Sequence, residues 1–527
     1  MTSSNRKQLH ERLWSAAVQL RANSGLKLNE MSEPILGLIF LKFADVRFNR
    51  AKTEIEAEYE KIAASRRREI TADNYKAKGV LYLPATATYS YLMNLPENKN
   101  IGKAINAAMK AIEEENTDLA GILPQDYTGL HAKKADENSK ILIALLKNFN
   151  QIPDDIEGDA FGEIYEYFLG EFARAEGAKG GEFFTPQSIV KLLVEVIEPY
   201  SGKIFDPACG SGGMFVQSAN FVKSHSNKKT EIMNEVAIYG HEKGTSNIRT
   251  AKMNLAIHGL SGKIAEVNSF YEDPFQSVGK FDYLLANPPF NVKGKDKNGQ
   301  IVIDPAQLQS DPRYYLGLPT TGQGAISNGN YLWMQIFASA LNAKGRAGFV
   351  MSNASGDAGN AEKEIRKKMV DAGLVDVIIS VGSNMFLNAT LSCTLWFFDK
   401  RKKGGNREKK ILFINAQDIY TEIDKAHNEW TDEQIQELAD IVRRYREEDG
   451  EEKYIDIKGR CKVATLDEIR DSDYSLNPGR YVEIVEKQMS DVDFDAQMTK
   501  LASEFTNLTK EAHEFEQKIT EDWKQIL

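Results

Sequence analysis

Several things are scarce in this chain, and each scarcity removes a class of function. Only three cysteines occur in 527 residues, Cys209, Cys393 and Cys461. An odd number so far apart in sequence fits reduced core thiols and argues against a disulfide framework or a zinc site. The seven histidines show no metal-ligand spacing. His241 and His258 therefore read as structural residues, and no metal is expected. Long apolar runs are missing too: the stretch from Pro34 to Leu41 is closed by Glu33 and Lys42, far short of a membrane span. The start, Met1-Thr2-Ser3-Ser4-Asn5-Arg6-Lys7, has no apolar signal region, so a cytoplasmic protein is the expectation. Neither a phosphate-binding Walker loop nor a Ser-His-Asp order appears. Most telling is the missing basic surplus. The net charge is −10, whereas a chain that gripped duplex nucleic acid alone would need many cations against the phosphates. Either cations are locally concentrated, with Arg66-Arg67-Arg68 and Lys293, Lys295 and Lys297 as candidates, or another chain supplies the grip. Such runs are more often solvated surface than binding sites.

What is present is concentrated in a few short segments. The apolar run from Phe281 to Ala286 ends in Asn287-Pro288-Pro289-Phe290. A run of that length and β character, closed by two prolines, predicts a buried strand ending in a rigid turn. The prolines supply no N–H, so nearby carbonyls can accept from a ligand. An amide, stiff carbonyls and an aromatic ring at one strand end suit a planar group with an exocyclic amine. Asn287 and the Pro288 carbonyl would accept its two N–H bonds while Phe290 stacks on its face. A plain structural turn is the competing reading of that tetrapeptide alone.

Upstream lies Asp206-Pro207-Ala208-Cys209-Gly210-Ser211-Gly212-Gly213, a glycine-rich turn between a short strand and a helix start. Its glycines allow close backbone approach, and the helix N-terminus offers N–H groups. The dinucleotide spacing is absent, and Asp206 would repel a pyrophosphate but not a cationic ligand such as a sulfonium amino acid. A second strand, from Ala237 to Glu242, ends in a carboxylate where α/β folds grip ribose hydroxyls.

Taken in order, Phe183-Phe184-Thr185-Pro186, the glycine turn, Glu242, Asn268-Ser269-Phe270 and Asn287-Pro288-Pro289-Phe290 resemble the amino-methylating DNA methyltransferases that use S-adenosyl-L-methionine. Within them the chain is similar to the modification (M) subunit of type I restriction-modification systems, over nearly its whole length. The start around Met31 to Phe43, the Tyr165-Glu166-Tyr167-Phe168 lead-in and Leu476 to Tyr481 also look familial. The resemblance implies adenine-N6 methylation of a base flipped from duplex DNA, with sequence recognition borrowed from a specificity (S) subunit, two M to one S, and a restriction (R) subunit in the full complex. It implies that Glu182, Phe183, Phe184, Thr185, Pro186 and Gln187 meet the methionine end of the cofactor, and that Asp206, Ser211, Gly212 and Gly213 form its glycine loop. Glu242 would hold the ribose, with Phe270 near the adenine ring. Asn268 stands where relatives often have Asp on the adenine amine, a departure that puts this contact in question. Asn287, Pro288 and Phe290 would hold the target adenine. Two alternatives compete: a protein glutamine-N5 methyltransferase, whose N-P-P turn generally carries Tyr and whose chain is much shorter, and a catalytically inert assembly scaffold. Cytosine N4 methylation is disfavoured, since such enzymes usually have Ser or Asp before the prolines.

The organisation expected is α/β. Residues 1–150 read as a helical domain for packing and assembly, with Leu9, Leu13, Ala16, Ala17 and Leu20 on one helix face and nothing that looks catalytic. Residues 151–482 alternate strand and helix. The resemblance implies a mixed, mostly parallel seven-stranded Rossmann-like methyltransferase sheet, in which the strands around 374–381 and 391–398 are antiparallel because their connection is short. Residues 291–330 lack periodicity and read as a DNA-responsive lid with few apolar anchors. Thr431 caps a helix carrying Ile435 and Leu438. In the tail, 483–527, Phe494, Met498, Leu501, Phe505, Leu508, Ala512, Phe515 and Ile519 alternate at four and three, the signature of a coiled-coil seam that meets another chain or folds back on the N-terminal helices.

Overall fold

The computed structural model describes residues 3–24, 28–61, 69–96, 99–128, 135–153, 160–176, 184–225, 236–386, 392–448, 453–483 and 491–526. Arg66, Arg67 and Arg68 lie outside them, as do Glu182 and Phe183. The chain divides into two compact units, Met1–Val482 and Glu483–Leu527.

The first unit is built on strands β1 (Gly202–Asp206), β2 (Val236–Glu242), β3 (Gly262–Glu266), β4 (Phe281–Ala286), β5 (Leu341–Ser352), β6 (Val375–Val381), β7 (Cys393–Asp399), β8 (Lys410–Ala416) and β11 (Cys461–Thr465). A separate hairpin pairs β9 (Thr421–Asp424) with β10 (His427–Glu429). The sheet runs β11-β8-β6-β7-β5-β4-β1-β2-β3. It has nine strands where seven were expected: the seven are there in methyltransferase-like order, and β8 and β11 lengthen the edge beyond β6. Pairing is parallel from β3 to β5, and β7 runs antiparallel to both β5 and β6. The short link between β6 and β7 leaves no room for the crossover that a parallel pair needs.

Alternation along the strands assigns each side chain a layer. Ile204, Leu285 and Val377 face one apolar core with the helices Gln187–Ile197, Gly213–His225 and Asp432–Arg446. Their neighbours Phe205, Leu284 and Ile378 face the other, with Asn330–Ala340 and Asn360–Asp371. Both faces of the sheet are therefore covered, which is why its strands read as nearly continuous apolar runs. Thr431 caps the helix Asp432–Arg446 with a complete capping box. A third core runs from Leu9 to Phe172 through the N-terminal helices and takes in Met253 and Ile257 from the helix Thr245–Ile257. Leu9, Leu13 and Ala17 are buried in it, Ala16 is half-buried, and the side chain of Leu20 lies outside the described residues. All three cysteines are buried free thiols. Among the described residues no helix is long and apolar enough to cross a membrane.

The stretch 291–330 corrects the lid expectation. Ile303, Leu308, Tyr314 and Ile326 are buried in the core beside Asn330–Ala340. The short antiparallel bridges Lys295 with Ile301 and Thr320 with Ile326 shape its turns. Its anchors are real but spaced without period, so periodicity understated them.

In the second unit the helix Asp491–Ile526 carries the expected seam. Met498, Leu501, Phe505, Leu508, Ala512, Phe515 and Ile519 are all exposed, and the side chain of Phe494 lies outside the described residues.

Candidate active site

The site forms at the carboxyl ends of β1, β2 and β4, where an α/β sheet of this kind opens a crevice. After β1 the chain turns sharply. Gly210 and Gly212 take φ of 51° and 79°, backbone that glycine adopts without strain. The Gly212 N–H donates to the Cys209 carbonyl at 2.8 Å, and Asn254 Nδ2 donates to the Ser211 carbonyl at 3.0 Å. Gly210 and Gly213 line the cavity, and a Cβ placed on either would meet nothing within 4 Å. A ligand can therefore rest directly on backbone.

Two carboxylates flank that turn. Asp206, at the end of β1, is 1% exposed and accepts from the Ala208 N–H at 2.9 Å. Burial pushes its carboxyl up to about 8, with the nearby Glu242 charge adding to the rise. A cation placed there would restore the ionised form. Glu242, at the end of β2, accepts from the Gly210 N–H at 3.0 Å with one oxygen, and from the Lys243 and Gly244 N–H groups at 2.9 and 2.8 Å with the other. The carboxylate thus ties the glycine turn to β2 while still lining the cavity. The donor set fits the expected cofactor: a buried acid for a cation, a second acid for hydroxyls, and bare glycine backbone between them.

After β3, Asn268 Oδ1 accepts from the Phe270 N–H at 3.2 Å. The Phe270 ring sits 4.5 Å from that of Trp333, tilted by 42°. At the end of β4, Asn287 Nδ2 donates to Thr185 Oγ1 at 2.8 Å, joining segments 102 residues apart. Gln187 bonds to Glu166 on the helix Ala160–Glu176.

These pieces surround one cavity of about 610 Å³. Of the residues singled out from sequence, Phe184, Thr185, Gln187, Asp206, Ser211, Gly213, Glu242, Asn268, Phe270 and Asn287 line it. Four do not. Pro186 caps the helix Gln187–Ile197, Gly212 shapes the turn, Pro288 is buried, and Phe290 packs half-buried against the core of the sheet. Sequence reasoning missed Trp333, Val292 and Asn254. Trp333 stands in a helix buried all round and carries no mark that separates a wall residue from core. Nothing in the N-terminal helices looks catalytic from sequence, yet Ser32, Glu33 and Leu36 form part of the cavity wall. Glu33 accepts from Ser246 and pairs with Arg249 at 3.6 Å. Lys293, Lys295 and Lys297 are exposed beside this region of chain.

Comparison with known proteins points the same way as this geometry. Residues 156–490 match the N-6 DNA Methylase family, and residues 9–149 match the HsdM N-terminal domain. The chain is 35% identical to the type I restriction enzyme MjaIX methylase subunit of Methanocaldococcus jannaschii, over 98% of this chain and 90% of that protein. It is 34% identical to the HindI methylase subunit of Haemophilus influenzae, over 76% and 87%. The fold is shared with the type I methyltransferase subunit from Streptococcus thermophilus, at TM-score 0.73 and 23% identity, over 91% of this chain and all of that one. Neither a glutamine methyltransferase nor an inert scaffold is favoured by this set. The chain belongs to the N-6 DNA methylase family and, within it, to the methylase subunits of type I restriction enzymes.

Proposed function

We propose that this chain transfers the methyl group of S-adenosyl-L-methionine to N6 of an adenine flipped out of duplex DNA. When bound, that cofactor supplies a methyl group on a sulfonium centre, open to in-line displacement by an amine. The observation that carries the reading is the single cavity running from Asp206 and Glu242 to Asn287, closed by the bond from Asn287 to Thr185. Asp206 would hold the cationic amino-acid end and Glu242 the ribose hydroxyls. Glu182, Phe183, Phe184, Thr185, Pro186 and Gln187 would frame the methionine end, with Ser211, Gly212 and Gly213 beneath it. Asn268 and Phe270 would receive the cofactor's adenine. Asn287 and the Pro288 carbonyl would accept the target amine's two hydrogens, which directs its lone pair at the methyl group, and Phe290 would stack on the base. Holding the two reactants in line and away from water supplies most of the rate.

In this reading residues 1–150 serve as a helical assembly domain, 151–482 as the methyltransferase and 483–527 as an assembly tail. The protein works in the cytoplasm within a restriction-modification complex, beside a specificity subunit, in a ratio of two to one, and a restriction subunit. A chain of net charge −10 binds duplex DNA weakly alone, since sequence-independent affinity follows the phosphates neutralised. Methylation of mixed-sequence DNA by the chain with and without its specificity subunit is the test. Site-specific methylation only with that subunit is expected. Full, site-specific methylation by the isolated chain would overturn the division of labour.

A further inference from the structure

The stretch 291–330 does more than cover core. Its two ends are pinned together directly behind the Asn287 turn: the Asn291 N–H donates to Asn330 Oδ1 at 2.9 Å, Asn328 Nδ2 donates back to Asn291 Oδ1 at 3.0 Å, and the Gly329 N–H donates to the Val292 carbonyl at 2.8 Å. At its far end sits Arg313, 2% exposed. A guanidinium has five N–H donors, and here each has an acceptor. Nε meets Asp311 Oδ1 and Oδ2 at 3.0 Å. Nη1 reaches the Ser269 carbonyl at 2.7 Å and the Glu272 carbonyl at 3.3 Å. Nη2 reaches the Phe270 carbonyl at 3.2 Å and Asp311 Oδ2 at 2.6 Å. The adjacent Tyr314 hydroxyl donates to the same Phe270 carbonyl at 2.6 Å.

Three carbonyls of one turn, 269–272, are thus held by one buried cation, and a fourth bond comes from the next side chain. That turn carries Phe270 and follows Asn268, both on the cavity wall, and neither Arg313 nor Tyr314 lines the cavity itself. We propose that Arg313, seconded by Tyr314, is a positioning residue that fixes the 268–272 turn for the adenine of the cofactor. The inference rests on the cofactor reading above. Asp311 keeps the guanidinium charged and oriented, and the planar fork spans carbonyls that a lysine's single ammonium cannot span together. The turn's own bonds serve its N–H groups, with Asn268 accepting from the Phe270, Tyr271 and Glu272 N–H groups. Its carbonyls at 269, 270 and 272 are the groups that Arg313 and Tyr314 hold from behind, and small displacements at a binding surface are costly.

The test uses the full chain, first by calorimetry with S-adenosylhomocysteine and then with the specificity subunit in a DNA methylation assay. Arg313→Met is expected to weaken S-adenosylhomocysteine roughly tenfold and to raise KM for S-adenosylmethionine in parallel. kcat at saturating cofactor should stay within about twofold, because the methyl-transfer end is untouched. Tyr314→Phe removes one bond and should weaken binding by about threefold; it decides the matter by the same criteria if Arg313→Met fails to fold. Arg313→Lys should fall between wild type and Arg313→Met. Unchanged cofactor affinity in the folded variants overturns the inference. So does a kcat that falls while KM holds, since that marks a merely structural staple. Wild-type chain that binds no S-adenosylhomocysteine would remove the cofactor reading, a result distinct from either.

Discussion

Two amphipathic helices of this chain meet opposite surroundings. Gln187–Ile197 places Ile189, Leu192, Leu193, Val196 and Ile197 in the core against the sheet. Asp491–Ile526 leaves Met498, Leu501, Phe505, Leu508, Phe515 and Ile519 between 50% and 74% exposed, along one seam. Burying one such side chain stabilises by about 1.5–3 kcal/mol, so six left in water along a single stripe are a large unused driving force. A monomer seldom carries such a stripe without a use for it. In the proposed reading, the contrast separates a unit that completes its own core and houses the chemistry from a tail that docks on another chain. Changes around the cavity of the first unit should damage catalysis and spare assembly; changes along the tail's seam should do the reverse.

The strongest challenge to that separation is Asn287→Ala. In the proposed reading the lost amide serves the target amine, so methyl transfer should fall by about 100- to 1,000-fold while cofactor affinity and co-purification with the specificity subunit hold. Single-turnover assays and calorimetry read the two effects apart, and a substantial residual rate would remove Asn287 from its role. Deleting residues 494–527 should give the converse: a soluble protein that binds cofactor but no longer co-purifies in full stoichiometry with its partner. Normal assembly by the truncated chain would mean that the tail is not the docking element.

Glu242→Ala sharpens the distinction within the site. A charged acceptor for hydroxyls is lost, and cofactor affinity should drop by roughly 10- to 100-fold, with assembly intact. Part of that loss belongs to the turn, because Glu242 also receives the Gly210, Lys243 and Gly244 N–H groups. Glu242→Gln keeps the size of the side chain and isolates the charge. Unchanged affinity in folded protein would end the ribose assignment.

The same contrast governs what was legible in sequence. Most of the strands buried on both faces read clearly, since short apolar runs bounded by turn residues have few other uses, and the antiparallel β7 followed from a short link. The glycine turn, Glu242 and the Asn287 turn were legible because each combines residue types that a plain core does not call for. The two added strands, β8 and β11, were missed; β11 is short and only partly apolar. Trp333 and Glu33 gave no signal, because a tryptophan in a largely apolar, buried helix and a glutamate within a long helix look alike in any role. Arg313 was hidden for a related reason: apart from Asp311, its partners are backbone carbonyls of the 269–272 turn, and backbone leaves no trace in the identity of the residues that supply it.

The subtlest expected effect concerns protons. Burial raises the Asp206 carboxyl to about 8 from its ordinary 3.8, so at pH 7 the unliganded protein holds it mostly protonated. An acid raised in the folded state costs stability as pH climbs between its unfolded and folded values, here from about 4 to about 8, because only the unfolded chain has released the proton. A cation bound beside Asp206 favours the carboxylate and lowers that value again, so binding at pH 7 should release up to about one proton. Cofactor affinity should accordingly rise with pH toward about 8 and level off above it. Calorimetry in two buffers of different ionisation enthalpy measures the proton directly, and Asp206→Asn should abolish both the release and the pH slope. Proton release that persists in Asp206→Asn would place the titrating group elsewhere and leave Asp206 as a structural acid of the turn.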